Sequence, residues 1–290
     1  PPMNRRIFLS RSATALATSV AGAGLLTRVT QGAGAAAPRR LKRVGLELYS
    51  VRDAMKRDPE RTLAAVRSMG YRDVELLWSL GNFGRSPKRV KITLDSEGLR
   101  APSAHIDAKM LGEGWEHALD DAHLLGHQYL IVPSLPNESR QTIDGWRAWA
   151  DRFNAAGEKA RKANIWLAFH NEPDHMTPIG GVVPYDVFVD RTSPNEVRHQ
   201  FDIGNMVMGG GDPMAYLKKY GPRYWSFHVK DVVADHTHDT ELGDGTVALR
   251  DLLAAITDID QKPVYVEQEG ATDSLLSVKR DYDFLAALEF

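Results

Sequence analysis

The sequence predicts a (β/α)8 TIM barrel that forms a single domain, and three observations lead to this fold class. Short β-branched or apolar runs alternate with longer helical patterns, and this pair recurs eight times after Arg43. About 250 residues follow residue 37, which is the usual size of one such barrel. Polar side chains stand at the C-terminal end of every predicted strand, where barrels of this kind carry their chemistry.

Residues 1–37 are predicted to be an export signal and not part of the fold. Arg5 and Arg6 form a twin arginine, and a weakly apolar run from Ala13 to Leu26 precedes a stretch of small residues. The run is too short to span a bilayer, so we expect a twin-arginine signal peptide that the export machinery recognises and that is then cleaved. An uncleaved anchor is the alternative. The barrel is expected at 38–290, periplasmic or secreted, without a stable membrane anchor.

The eight predicted strands are short apolar or β-branched runs that end in loop signals. They are, in order, Val44–Leu48, Asp73–Leu77, Ala101–His105, Tyr129–Pro133, Ile165–His170, Val197–Asp202, Tyr224–Val229 and Pro263–Glu267.

The helix between the first two strands has clear start and stop signals. Asp58 is a candidate N-cap, Pro59 suits the first helical turn, and Gly70 suits the C-terminal end. The longest helix is predicted between residues 139 and 164, where Trp146, Trp149, Phe153 and Ala160 recur at helical spacing. An open doubly wound sheet would alternate in the same way, but it usually carries a glycine-rich phosphate loop after its first strand, where this chain reads LYSVRDAM. The barrel is therefore the preferred fold.

Composition narrows the chemistry and the partners. The chain has no cysteine, so disulfides and thiolate metal sites are excluded. Residues 1–37 contain four arginines and no acidic residue, so their removal moves the formal net charge from -2 to -6. An acidic domain without a basic run is a poor nucleic-acid binder, and we expect a small-molecule partner. Trp115, Trp146 and Trp149 could serve a contact in an oligomer, although helical spacing favours core packing for the last two.

Four neighbouring strands in the second half of the chain each end in a potential metal ligand. The runs IWLAFH, VRHQFD, YWSFH and PVYVE place His170, Asp202, His228 and Glu267 at the ends of strands five to eight. In a parallel barrel these side chains converge on one mouth. Two imidazoles and two carboxylates suit one divalent cation such as Mn, Co, Fe or Zn better than Ca or Mg, which prefer oxygen ligands.

Other polar residues at the same mouth are candidates for catalysis or for substrate binding. Lys230 shares a face of its strand with His228, so it could stabilise an enolate or form a salt bridge with Asp231. The loop ADHTHDTELGDGT that follows is predicted to be a mobile rim or lid. The predicted substrate-binding residues are Glu75, Trp78, His105, Asn171 and Asp231.

These motifs carry a family resemblance that runs from Val44 to the C-terminus. GLELYSVRDAM, MGYRDVEL, GLRAPSAH, LAFHN, PYDVFV, FDIGNM, FHVKD with a following GDGT, and YVEQE resemble the sugar phosphate isomerase/epimerase family, the xylose isomerase-like TIM barrels. The resemblance implies one divalent metal held by strands five to eight, and Asp202, His228 and Glu267 match three of its ligand positions.

The fourth position departs from the family pattern. Many members end strand five with glutamate, and some read HNH there, whereas this chain reads His170-Asn171-Glu172. Family epimerases use two glutamates on opposite faces of the substrate. Here Glu172 could act as the base, His170 could transfer the proton, or the reaction could need only one face, which favours elimination or one-sided isomerisation.

The sequence therefore predicts a metal-dependent isomerase or epimerase that acts on a sugar or keto-sugar through an enediolate. Glu267, His170 or Glu172 would move the proton, and Lys230 would bind a substrate oxygen. The alternative within enzymes is a lyase that cleaves 3-keto-glycosides by elimination. A non-catalytic periplasmic sugar-binding barrel and a DNA-repair nuclease are further alternatives, and the acidic charge opposes the nuclease.

Overall fold

Eight parallel strands close into a barrel in the order in which they occur along the chain. The computed structural model describes residues 38–290, which form one compact unit, and the predicted signal segment lies outside the described residues. The strands are β1 (Gly45–Glu47), β2 (Asp73–Leu77), β3 (Arg100–His105), β4 (Tyr129–Val132), β5 (Trp166–His170), β6 (Val197–Asp202), β7 (Tyr224–Val229) and β8 (Val264–Val266). The predicted barrel is confirmed, and its closure excludes the open doubly wound sheet.

Eleven α-helices occur in the described part of the chain, and most of them surround the barrel. They are α1 (Arg52–Arg57), α2 (Pro59–Met69), α3 (Pro87–Glu97), α4 (Trp115–Leu125), α5 (Asn137–Arg140), α6 (Ile143–Lys162), α7 (Pro184–Arg191), α8 (Ile203–Met208), α9 (Pro213–Tyr220), α10 (Leu249–Ala255) and α11 (Ser274–Ala287). No helix among these residues is both long and apolar enough to cross a membrane.

The helix signals in the sequence correspond to real caps. The Asp58 side chain accepts a hydrogen bond from the Arg61 backbone N–H at 3.0 Å, and Gly70 ends α2 with a φ of 120°. The helix predicted from residue 139 is two helices, α5 and α6. The helical backbone is interrupted after Arg140, and the Thr142 hydroxyl caps the start of α6. Trp146 and Trp149 on α6 are buried as predicted.

Trp115 is also buried, and this burial argues against a role for its side chain in an oligomer contact. Its side chain is only 2% exposed, and its indole N–H donates to the carbonyl of Ala156 on α6 at 3.0 Å. The tryptophan therefore fastens α4 to α6 inside the protein. None of the three tryptophans considered for a subunit contact lies on the surface.

The N-terminal end of the barrel is closed by stacked cations and aromatic rings. The Arg198 guanidinium carbon lies 3.6 Å from the ring centroid of Trp166 and 3.5 Å from that of Trp225. Its Nη1 also donates to the hydroxyl of Tyr129 at 2.7 Å, and Arg161 lies 3.6 Å from the Trp166 centroid. These contacts join the first two residues of β4 to β7 and satisfy the half-buried charge of Arg198.

Candidate metal centre

The four predicted ligands come together at the C-terminal end of the barrel. His170, Asp202 and His228 lie at or near the ends of β5, β6 and β7, and Glu267 directly follows β8. Each residue offers one ligand atom within 4.8 Å of the others, and all four residues are buried. The convergence follows from parallel strands that deliver equivalent positions to one mouth of the barrel.

The distances and the unpaired atoms suit a cation. His228 Nδ1 lies 2.7 Å from Glu267 Oε2, and His170 Nε2 lies 3.5 Å from Asp202 Oδ2. Both ring nitrogens of His170 are buried without a hydrogen-bond partner, and Asp202 Oδ2 has the Lys230 ammonium 3.3 Å away. Unpaired buried polar atoms are rare because the loss of water is costly, and one cation could take His170 Nε2 and Asp202 Oδ2 as ligands. The two-imidazole, two-carboxylate set therefore fits a divalent first-row metal.

Asp202 is held by the turn that follows its strand. Its Oδ1 caps α8 by accepting from the Asn205 backbone N–H at 2.7 Å, which leaves Oδ2 for the centre. The Asn171 side chain donates to the Asp202 carbonyl and accepts from the Asp202 N–H, both at 2.9 Å. Asn171 was predicted to bind substrate, but both of its polar side-chain atoms are used to join the ends of β5 and β6. Its fully buried side chain therefore fixes the backbone of Asp202, a predicted metal ligand.

Lys230 places a buried ammonium beside the predicted ligands. Its Nζ lies 3.3 Å from Asp202 Oδ2, 3.3 Å from Glu267 Oε2 and 2.7 Å from Glu269 Oε1, and it donates to Asn205 Oδ1 at 3.0 Å. Burial alone would lower the pKa of Lys230, but these carboxylates hold it well above its usual value. The Lys230 side chain is therefore a positively charged ammonium at neutral pH.

The stem of Lys230 also explains a glycine in the FDIGNM motif. A Cβ at Gly204 would lie 2.7 Å from the Cβ and Cγ of Lys230, which is closer than side chains can pack. Glycine at this position lets α8 pass directly over the lysine stem.

Asp231 anchors a loop, and Lys230 pairs with Asp202, Glu267 and Glu269 and not with Asp231, so the alternative of a Lys230–Asp231 salt bridge is not found among the described residues. The predicted role of Asp231 in substrate binding stays a prediction. The two carboxylate oxygens of Asp231 accept from the backbone N–H groups of Val232, Gly243, Gly245 and Val247. The predicted mobile lid begins here as a two-stranded hairpin, Asp231–Val232 with Asp239–Thr240. Asp239 in turn accepts from the backbone N–H groups of Glu269 and Gly270. The loop is therefore tied to the rim at both ends.

Glu75 and His105, both predicted to bind substrate, lie inside a buried polar layer. Glu75 is fully buried and accepts from Ser103 Oγ at 2.5 Å and from Gln200 Nε2 at 3.0 Å. His105 Nε2 lies 2.8 Å from Gln200 Oε1. Gln200 precedes Asp202 by two residues on β6, so it faces the interior one layer below the ligands. Glu75 is thus a support beneath the centre.

The electrostatics of this layer are strongly coupled to the centre. Burial alone would lower the pKa of His228, but the carboxylates of Glu267 and Glu75 raise it to about 10. Burial lowers the pKa of His105 to about 4, so this imidazole is neutral. Burial and the nearby Glu75 charge raise the pKa of Glu47 well above its usual value. The shift favours the protonated form of Glu47, whose side chain lies at the end of β1.

Glu172 is the carboxyl group best placed to act as a base. Its Oε1 lies 3.7 Å from His170 Nδ1, and its side chain is one-third exposed at the rim. Burial of the carboxyl raises the pKa of Glu172 to about 7, and the Glu267 and Asp202 charges add to the effect. A carboxyl group with a pKa near neutrality can accept and return a proton at physiological pH.

His175 holds Glu172 in place, a role that the sequence prediction missed. Its Nδ1 accepts from the Glu172 backbone N–H at 3.0 Å. Its ring stacks on that of Phe169, with centroids 5.3 Å apart, and meets that of Trp146 edge-on at 4.9 Å. The available signal was the spacing HNEPDH, in which a histidine stands three residues after the glutamate, as in a helix capping box.

Trp78 begins the 3₁₀ segment Trp78–Gly84, directly after β2. Its ring centroid lies 5.4 Å from that of His127, and its indole N–H is buried without an acceptor. The predicted contact between Trp78 and a sugar ring stays a prediction.

Comparisons with known proteins agree with this fold and with sugar chemistry. A family model described as the xylose isomerase-like TIM barrel matches residues 63–288. An inosose dehydratase from Lacticaseibacillus casei is 25% identical over 252 residues, which cover 77% of this chain and 82% of the relative. A sugar phosphate isomerase/epimerase from Parabacteroides distasonis superposes with a TM-score of 0.74 at 25% identity, covering 86% of this chain and 97% of that one.

A more distant structure, the IOLI protein with a bound zinc atom, superposes with a TM-score of 0.66 at 12% identity and covers 83% of this chain and 95% of that one. This likeness shows the shared fold. The family model spans most of the described residues, from α2 to the end of α11. The chain therefore belongs to the xylose isomerase-like TIM barrel family.

Proposed function

We propose that this protein is a metal-dependent enzyme that removes the proton next to the carbonyl of a keto-sugar and then expels a leaving group. The observation that carries this proposal is the asymmetry of the centre. Glu172 accepts a hydrogen bond from the Asn205 amide at 3.2 Å and has a pKa of about 7, whereas Glu267 is ion-paired with His228 and Lys230. One base on one face of the substrate suits elimination better than epimerisation, which needs a second base on the opposite face.

The residues divide the work by position. His170, Asp202, His228 and Glu267 would hold the divalent cation. When bound, that cation supplies polarisation of adjacent carbonyl and hydroxyl oxygens, which makes the neighbouring C–H more acidic. Glu172 removes the proton, and the charge of the buried Lys230 ammonium, 3.3 Å from Asp202 and Glu267, favours the negative charge that develops at the centre.

The leaving group is either hydroxide or the aglycone of a 3-keto-glycoside. Its C–O bond breaks as the enediolate collapses to the unsaturated ketone, and Glu172 returns the proton that it removed, so hydroxide departs as water and the aglycone as its alcohol. The relative from Lacticaseibacillus casei is a dehydratase, which supports an elimination. Isomerisation or epimerisation is the second candidate. It is favoured by the likeness to the Parabacteroides distasonis isomerase/epimerase and would use Glu267 as the second proton carrier.

An experiment in deuterated water distinguishes elimination from isomerisation or epimerisation. The cobalt-loaded protein is incubated with a 3-keto-glycoside, and the products are followed by NMR. Release of free aglycone supports elimination, whereas deuterium in a product that keeps its aglycone supports isomerisation or epimerisation. Glu172→Gln should abolish either product while the metal stays bound. An unchanged rate in Glu172→Gln would remove Glu172 from the mechanism.

A non-catalytic sugar-binding barrel is the alternative outside enzymes. It would bind keto-sugars without turnover, and it would not need the unpaired ring nitrogens of His170 at the centre. Saturable sugar binding with no product in the deuterium experiment would favour it.

Export also belongs to the proposal. Residues 1–37 contain the twin arginine that motivates it. Replacement of both Arg5 and Arg6 by lysine should retain the protein in the cytoplasm if the twin-arginine route is used. Normal export and processing of that double variant would contradict it.

A further inference from the structure

Beneath the candidate metal centre, Glu75 makes a contact that no sequence pattern indicated. Its Oε2 lies 2.6 Å from Nε2 of His228, the nitrogen of that ring that faces away from Glu267. Both side chains are completely buried. A carboxylate behind a metal-binding imidazole fixes the ring in one orientation and one tautomer.

The surroundings of Glu75 leave it only the role of an acceptor. Ser103 Oγ donates to its Oε1 at 2.5 Å, and the Gln200 amide donates to both of its oxygens at 3.0 Å. The other side of the Gln200 amide, its Oε1, faces His105 Nε2 at 2.8 Å. Because donors converge on Glu75 from two strands, the hydrogen in its bond with His228 belongs to the imidazole.

The contact with Glu75 also determines what the other ring nitrogen of His228, Nδ1, can do. Without a bound cation, both ring nitrogens of His228 face a carboxylate, and both can carry a hydrogen. A cation that binds Nδ1 takes the place of the hydrogen there, so the neutral imidazole keeps its hydrogen on Nε2. That Nδ1 lies 2.7 Å from Glu267 Oε2 and 3.9 Å from Asp202 Oδ2, among the other candidate ligand atoms. The tautomer set from below is therefore the one that offers a metal ligand above.

We propose that Glu75 is a positioning residue for the metal centre, which locks His228 as the Nε2–H tautomer and aims its Nδ1 at the cation. This inference rests on the proposed metal-dependent function and deepens it. It also replaces the substrate-binding role predicted for Glu75, since the residue has no exposed surface.

The matched variants are Glu75→Gln and Ser226→Ala. Glutamine keeps the volume of Glu75 but brings an amide into a pocket built by donors, so His228 loses its fixed acceptor. Ser226 lies in the same layer, two residues before His228 on β7, and accepts only from Gln200. Its removal disturbs the layer without touching the Glu75–His228 bond.

The measurement is Co(II) binding by calorimetry, together with the visible absorption spectrum of the bound Co(II). We expect Glu75→Gln to weaken Co(II) binding by about 10- to 100-fold and to alter the spectrum. Ser226→Ala should bind with wild-type affinity and an unchanged spectrum. Wild-type affinity and spectrum in Glu75→Gln would overturn the positioning role.

A second measurement uses the wild-type fold and covers the case in which Glu75→Gln does not fold. In the ¹⁵N-histidine NMR spectrum of the Zn(II)-loaded protein, with His228 identified by the missing signals in His228→Gln, Nε2 should carry the hydrogen. A hydrogen on Nδ1 would overturn the proposal. A wild-type protein that binds neither Co(II) nor Zn(II) would instead contradict the metal centre itself, so the two failures are distinct.

Discussion

The two ends of this barrel treat their polar groups in opposite ways. At the N-terminal end, the half-buried Arg198 lies between two indole rings and donates to Tyr129, so its charge is satisfied by the protein. At the C-terminal end, both ring nitrogens of His170 are buried without a hydrogen-bond partner. The polar groups at the N-terminal end thus contribute to stability, whereas those at the C-terminal end are left for a ligand to satisfy.

This contrast gives a physical criterion for function. A satisfied buried charge needs nothing further, whereas an unsatisfied one destabilises the fold unless a ligand binds. Substitutions at the C-terminal end should therefore reduce activity more than stability, and substitutions at the N-terminal end should do the reverse.

The largest expected effect is at Asp202. Asp202→Asn keeps the Oδ1 that caps α8 but removes the charge next to Lys230 and His170. We expect kcat/KM for a keto-sugar substrate to fall on the order of 10²- to 10³-fold, because a preorganised charge at the reaction centre is lost. Steady-state kinetics measures this. Asp244→Asn, on an exposed side chain, is the control, and equal kinetics for the two variants would break the contrast.

The mirror experiment is Arg198→Ala at the other end. Loss of two cation–π contacts and one hydrogen bond should lower the free energy of unfolding by about 2–4 kcal/mol. Activity per folded molecule should stay unchanged, since the centre lies at the opposite end. Urea unfolding measures the first quantity, and the exposed Arg250→Ala serves as the reference. A large loss of kcat with normal stability would contradict the division between the ends.

A smaller effect is expected at His175, which holds the proposed base. His175→Phe keeps an aromatic ring against Phe169 and Trp146 but removes the acceptor for the Glu172 N–H. One hydrogen bond corresponds to about 1 kcal/mol, so kcat should fall about fivefold to tenfold. KM and Co(II) affinity should not change. His123→Phe on α4 is the control, and a variant that loses Co(II) binding as well would show that His175 supports the whole centre.

The smallest effect concerns an unpaired buried atom outside the centre. Burial raises the pKa of Asp281 to about 7, while its Oδ1 accepts from the Leu242 N–H and its Oδ2 has no partner. In the unfolded chain this carboxyl has its ordinary pKa of 3.8, so it ionises there first as the pH rises. Stability contributed by the protonated form is therefore present below about pH 4 and is lost progressively up to about pH 7.

Asp281→Asn should remove this dependence, so its melting temperature should fall less than that of the wild type between about pH 4 and pH 7. The exposed Asp251→Asn should keep the wild-type slope. Identical slopes for wild type and Asp281→Asn would show that the carboxyl is ionised in the fold. Asp281 also bears on the contrast between the two ends of the barrel. A buried carboxyl that lacks a partner can be stabilised by protonation as well as by a bound ligand.

The sequence predicted positions in the fold better than it predicted the direction of individual side chains. The alternation of strands and helices and the strand-end placement of His170, Asp202, His228 and Glu267 follow from local periodicity and parallel pairing, and the structure has both. Asn171 and Asp231, which lie within two residues of the ends of β5 and β7, were predicted to bind substrate. Their side chains turn to backbone groups, because loop N–H and C=O groups must also be satisfied.

Glu75 shows what could not be predicted, and His175 shows what local spacing could predict only in part. Glu75 reaches His228 across the barrel interior, over a separation of 153 residues, and no local pattern reports such a pairing. His175 depends on the stacking of Phe169 and Trp146 from two different elements. Contacts of both kinds exist only after closure of the barrel.

The central claim is that the four strand-end residues hold one divalent cation that the reaction needs. The most direct test is the metal content of the purified, metal-loaded protein by mass spectrometry, measured in parallel with keto-sugar turnover before and after chelation. The account predicts one metal per chain in the wild type, none in a His170→Gln/Asp202→Asn double variant, and loss of turnover on chelation. A metal-free protein that retains full activity would contradict it.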